Sequence, residues 1–76
     1  MVEYIEIDFT KVKGYSRLSE HAKKFFQRVY VRHNAAQGME YKNDWVPVRV
    51  KEHKEYLEVH FKCGEWLHYL PDGTWY

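Results

Sequence analysis

Residues 45–70 read WVPVRVKEHKEYLEVHFKCGEWLHYL, and this stretch decides the fold. Val46, Val48 and Val50 recur at every second position, as do Leu57, Val59 and Phe61. A period of two marks a strand buried on one face. Between the two runs, Glu52-His53-Lys54-Glu55 reads as a polar loop. Cys63-Gly64 reads as a two-residue hairpin turn with glycine second. Glu65–Leu70 then forms a third strand. Pro71-Asp72-Gly73 is a strong turn signal, after which Thr74–Tyr76 can pair as a short last strand.

These turns predict a register. A two-residue turn at 63–64 pairs Phe61 with Trp66, Val59 with His68 and Leu57 with Leu70. A loop at 52–55 pairs Val50 with Leu57, Val48 with Val59 and Val46 with Phe61. Mostly apolar residues then meet apolar residues, and a slip of one would turn a whole strand over. Pro47 lacks an amide hydrogen and demands an edge or a bulge. The expected inner face holds Val46, Val48, Val50, Leu57, Val59, Phe61, Trp66 and Leu70. The expected outer face holds Trp45, Pro47, Arg49, Lys51, Tyr56, Glu58, His60, Lys62, Leu67, Tyr69 and Trp75.

Upstream, Leu18, Ala22, Phe25, Phe26, Val29 and Tyr30 recur at helical spacing and form one apolar stripe. Ser16 or Ser19 can cap this helix, Glu20 suits its first turn, and Gly38 reads as its left-handed end, with Met39 packing back on the last turn. Ile5, Ile7 and Phe9 alternate with Glu6 and Asp8, so Tyr4–Thr10 reads as a first strand, broken at Lys13-Gly14. The expected fold is α+β in the order β-α-β-β-β(-β), one amphipathic helix on one face of an antiparallel meander. Its 76 residues leave room for a single domain, 1–76.

The composition, 45% hydrophobic and 18% aromatic, argues against disorder. The lone Cys63 excludes an intramolecular disulfide, and no run approaches the length of a membrane helix. The acidic start lacks the basic region of a signal peptide, so a cytoplasmic location is the default expectation. The net charge of +1 hides an asymmetry. Residues 11–34 hold seven bases against Glu20 alone, a net +6. No cofactor is expected.

Three functional readings follow. The first is a non-enzymatic binding protein whose outer sheet face takes a protein partner or a second copy, with Trp45, Tyr56, Leu67, Tyr69 and Trp75 as anchors. Contiguous exposed aromatic area marks interaction sites, although ordinary outer-face residues are the plain alternative. Aromatics interleaved with Arg and Lys on an open sheet could also stack nucleobases. The second is a nucleic-acid-binding module using a basic helix stripe of Arg17, Lys24, Arg28 and Arg32, against the simpler view of a solvated face. The third is a small metal-independent ribonuclease. Glu58 would serve as base, His60 as acid and Arg49 as phosphate clamp, with Tyr69 beside Glu58. This set resembles small microbial ribonucleases in residue types and topology, over no sequence motif, and a cross-strand salt bridge explains it as simply. Zinc at His60, Cys63 and His68 is not expected, because the register turns the two histidines to opposite faces. His68 and His33 read as packing histidines, with His68 buried and neutral.

Overall fold

Ser19 is where the helix begins, and its hydroxyl shows why. Its Oγ accepts a hydrogen bond from the Ala22 amide, satisfying one of the free donors of the first turn. Glu52 completes the cap from the far end of a strand, accepting from the Ser19 amide at 2.9 Å and from its Oγ at 3.0 Å. Helix α1 then runs from Glu20 to Ala36. Ala22, Phe25, Phe26, Val29 and Tyr30 are all buried, as their spacing requires. The computed structural model describes residues 4–38 and 41–76.

The C-terminal end of α1 differs from expectation. Gly38 does not take the left-handed conformation; Gln37 caps the helix with extended backbone. The closing group is Lys42, which is buried. Its ammonium donates to the carbonyls of Asn34, Ala35 and Gln37 at 2.8, 3.3 and 2.9 Å. A cation on the last free carbonyls matches the negative end of the helix dipole, so no glycine is needed. The expected packing of Met39 lies outside the described residues.

Three antiparallel strands follow in the order β1-β2-β3: β1 Pro47–Glu52, β2 Leu57–Phe61 and β3 Trp66–Tyr69. Both sequence-derived registers shift, with different consequences. In the first hairpin Val50 pairs with Val59 and Lys51 with Glu58. That slip is by two, so the faces are kept: Val50, Leu57, Val59 and Phe61 are buried. The irregularity Pro47 demands lies between Pro47 and Arg49. It turns Pro47 inward and leaves Val48 47% exposed.

The second hairpin slips by one. Its loop has three residues, Lys62-Cys63-Gly64, closed by Gly64 N–H to the Phe61 carbonyl and by Phe61 N–H to the Glu65 carbonyl. Gly64, at φ 93°, occupies the left-handed position that such three-residue loops require. His60 therefore faces Trp66, Glu58 faces His68, and Leu57 faces Tyr69. Every side chain of β3 is inverted relative to the two-residue reading. Tyr69 enters the core at 0% exposure, and Trp66 leaves it at 48%.

The first expected strand is not a strand. Tyr4–Asp8 has its alternation, with Ile5 and Ile7 partly buried and Glu6 and Asp8 exposed. It crosses α1 instead of joining the sheet. The Ile5 carbonyl accepts from the Tyr30 hydroxyl and its amide donates to the Asn34 side chain. Phe9 packs edge-on against Phe26 and Tyr30. Two 3-10 turns, Phe9–Lys11 and Tyr15–Arg17, then lead to the helix. Lys13 makes the backbone bridge to the sheet, pairing in parallel with Arg49 on the outer edge of β1. Gly14 permits that approach, since a Cβ there would overlap the Val50 carbonyl oxygen. At the other edge Trp75 bridges Tyr69, the trace of the short last strand.

Candidate functional site

Opposite the helix, cross-strand pairing builds two rows on the outer face. The first runs Lys13, Arg49, His60, Trp66. The second runs Lys51, Glu58, His68, Tyr76, its last step made by paired backbone hydrogen bonds between His68 and Tyr76. Paired residues share a face. Each row thus begins in a cation at the β1 edge and ends in an exposed aromatic at the β3 edge. Trp66 is 48% and Tyr76 66% exposed.

Between these ends the rings are in contact. His60 stacks on Trp66 at 5.9 Å with planes 18° apart, and His68 stacks on Tyr76 at 4.6 Å and 15°. His68 also touches Trp66 and Tyr56. Tyr56 in turn stacks on His53 at 4.6 Å and 15°. Glu58 holds the middle. Its two carboxylate oxygens meet His53 Nε2 at 3.0 Å and His60 Nε2 at 2.7 Å. Those hydrogen bonds, from His60 first and His53 second, hold the carboxyl below its ordinary pKa. The face is therefore a lattice of three imidazoles, one tryptophan and two tyrosines, with three cations along one margin.

The residues singled out by sequence distribute as follows. Of the five expected anchors, Tyr56 stays outside. Tyr69 is buried. Leu67, Trp45 and Trp75 are partly buried against the core. They move because Tyr69 turns inward with β3 and Trp75, bridged to it, follows. Trp45 and Trp75 close on His33 at 5.4 and 5.1 Å, with Phe61 and Tyr69 completing the surround. His33, not His68, is thus the buried histidine. Its Nδ1 lies 2.8 Å from the Tyr69 hydroxyl, and burial pushes its pKa down to about 4.

The proposed catalytic set is only partly assembled. Glu58 and His60 bond directly, but Arg49 stands opposite His60 and not Glu58, and Tyr69 lies on the other side of the sheet. His53 and His68 enter the cluster in its place. Their histidine–tyrosine stacking has no strict sequence signal, though the spacing of His60 and His68 would have shown it under the correct register. His60 and His68 share a face, against expectation. Among the described residues no three His, Cys, Asp or Glu side chains are grouped to hold a metal ion.

The basic helix stripe also divides. Arg17 lies in a 3-10 turn ahead of α1. Lys24 is exposed. Arg28 donates to the Pro71 carbonyl, and the Arg32 guanidinium lies against Gly73. The last two therefore strap the C-terminal turn to the helix. Among the described residues no helix is long and apolar enough to cross a membrane.

Fold and face together define a small α+β domain with an open sheet surface that is aromatic at one margin and basic at the other. The chain matches no family model, and neither a curated protein nor a solved structure is similar to it.

Proposed function

We propose that this chain is a non-enzymatic binding protein whose outer sheet face takes a single-stranded nucleic acid. The observation that carries the reading is the pair of rows from cation to aromatic, Lys13-Arg49-His60-Trp66 and Lys51-Glu58-His68-Tyr76. Single strands are bound by stacking bases on aromatic side chains and matching phosphates with Arg and Lys. Trp66, Tyr76 and Tyr56 supply the ring faces; Arg49, Lys51 and Lys13 supply the charge. A protein-docking face would draw on apolar anchors, and Trp45, Leu67, Tyr69 and Trp75 instead pack toward the core. The basic helix stripe is the weaker alternative, since Arg28 and Arg32 hold the C-terminal turn.

The test is fluorescence anisotropy with short labelled RNA and DNA strands, on the wild type and on Trp66→Ala and Tyr76→Ala. Both rings are exposed, so the variants keep the fold. Each is expected to lose about 1–3 kcal/mol of binding, the usual worth of one stacked base. Undiminished binding by the double variant would refute the assignment. The RNA is expected back at full length. Fragments ending in 2′,3′-cyclic phosphate, lost in Glu58→Gln and His60→Ala, would assign the face to cleavage instead.

A further inference from the structure

A groove lies where the basic margin of the sheet meets the segment that leads into the helix. It is lined by Lys13, Arg17, Arg49 and Lys51, and floored by Gly14 and Val50. Among the described residues no ion pair joins any of these four cations to a carboxylate. The groove's one acid, Glu52, is already engaged by the amide and hydroxyl of Ser19. Four positive side chains thus line a concave surface against the single carboxylate of Glu52, an excess of three charges, and none of them is ion-paired among the described residues, whereas Lys23 pairs with Glu20.

We infer that this groove receives a terminal phosphate monoester of the bound strand. The inference rests on the nucleic-acid reading above and adds the chemistry of one end. Position supports it: Lys13, Arg49 and Lys51 head the two rows, so a strand laid from Trp66 across the sheet ends in the groove. Charge supports it as well. A backbone diester brings a single negative charge, which does not need four cations. A monoester brings roughly −1.5 to −2 and three strong acceptor oxygens. Arginine matches such a group with a planar fork of donors, and Arg17 and Arg49 provide two. The close approach of Gly14 to Val50 keeps Lys13 and Arg17 beside the sheet edge.

The experiment compares one labelled octanucleotide RNA in three forms: 5′-phosphorylated, 3′-phosphorylated and with hydroxyls at both ends. One phosphorylated form is expected to bind roughly tenfold more tightly than the hydroxyl form, the scale of charge-assisted phosphate contacts. Which form wins identifies the end. Arg17→Gln and Lys13→Ala should each abolish the preference, with Arg17→Gln leaving hydroxyl-ended RNA within about twofold, because Arg17 lies outside the two rows. Circular dichroism of both variants checks the fold. Equal binding of the three forms would overturn the groove assignment and leave the stacking face standing. A preference surviving both substitutions would overturn it too. Failure of every form to bind would overturn both readings together.

Discussion

His33 shows how much one side chain can decide. It sits at 1% exposure inside a surround of Trp45, Phe61, Tyr69 and Trp75. The hydroxyl of Tyr69, whose own pKa burial pushes up, shares a hydrogen bond with Nδ1 of the neutral imidazole. Burial lowers the folded pKa of His33 from the ordinary 6.5 to about 4. The unfolded chain therefore binds more protons than the folded one between those values. Stability is complete above pH 6.5, falls as pH drops from there toward 4, and is reduced by on the order of 3 kcal/mol below it. Thermal melts across pH 3.5–8 should show this slope, and His33→Gln should flatten it. A wild-type profile flat between pH 6.5 and 4 would contradict the buried neutral state. Replacing Tyr69 by Phe should cost about 1–3 kcal/mol, because Nδ1 then lacks its hydrogen-bond partner. The sequence marks His33 as a packing histidine on the helix stripe. It does not mark Tyr69 as the partner, since that contact depends on which way β3 faces.

At the scale of elements, α1 is the part most legible in the sequence. Its stripe, its Ser19 cap and its acidic first turn all use contacts within a few residues, and all are present. Its far end is closed by Lys42, beyond the helix, and the partner of its cap is Glu52, 33 residues away. Neither has a local signature. Lys42→Met should destabilise the domain by about 1–3 kcal/mol, leaving the carbonyls of Asn34, Ala35 and Gln37 without a donor. Urea melts would measure it; an unchanged midpoint would mean that water serves those carbonyls as well. The hairpins show the opposite limit. Alternation in β2, and in β1 from Arg49 onward, assigns faces correctly even under a slip of two, while the irregularity at Pro47 reverses Pro47 and Val48. In β3 both Trp66-His68-Leu70 and Leu67-Tyr69 can serve as an inner set. Only the loop's extra residue decides between them, through the left-handed Gly64. The N-terminal alternation likewise reports an extended chain buried on one side, and cannot tell a strand from a segment laid across a helix.

For the whole molecule, the surplus charge of residues 11–34 is divided by the fold. Arg28 and Arg32 go to the C-terminal turn, while Lys13 and Arg17 join Arg49 and Lys51 at the sheet margin. A net charge of +1 therefore coexists with a concentrated basic edge. If Lys13, Arg49 and Lys51 meet backbone phosphates of a hydroxyl-ended strand, its binding should weaken with salt at a log–log slope near −2, about 0.7 per phosphate contact. Lys51→Ala should reduce the slope by roughly 0.7. A salt-independent affinity would remove phosphate contacts from the reading.

By itself the sequence determined the outward-facing polarity of Arg49, Lys51, Glu58 and His60, the helix and its buried stripe, and the meander order. Each rests on periodicity, which is a property of neighbouring residues. Tertiary structure alone decided that Tyr69 and Trp75 turn inward, that Trp66, His68 and Tyr76 turn outward, and that Lys13 and Arg17 reach the edge of β1. Those outcomes follow from a one-residue difference in a hairpin loop and from a single parallel bridge at Gly14. A period of two carries no information about either, because it reads the same after the strand is turned over.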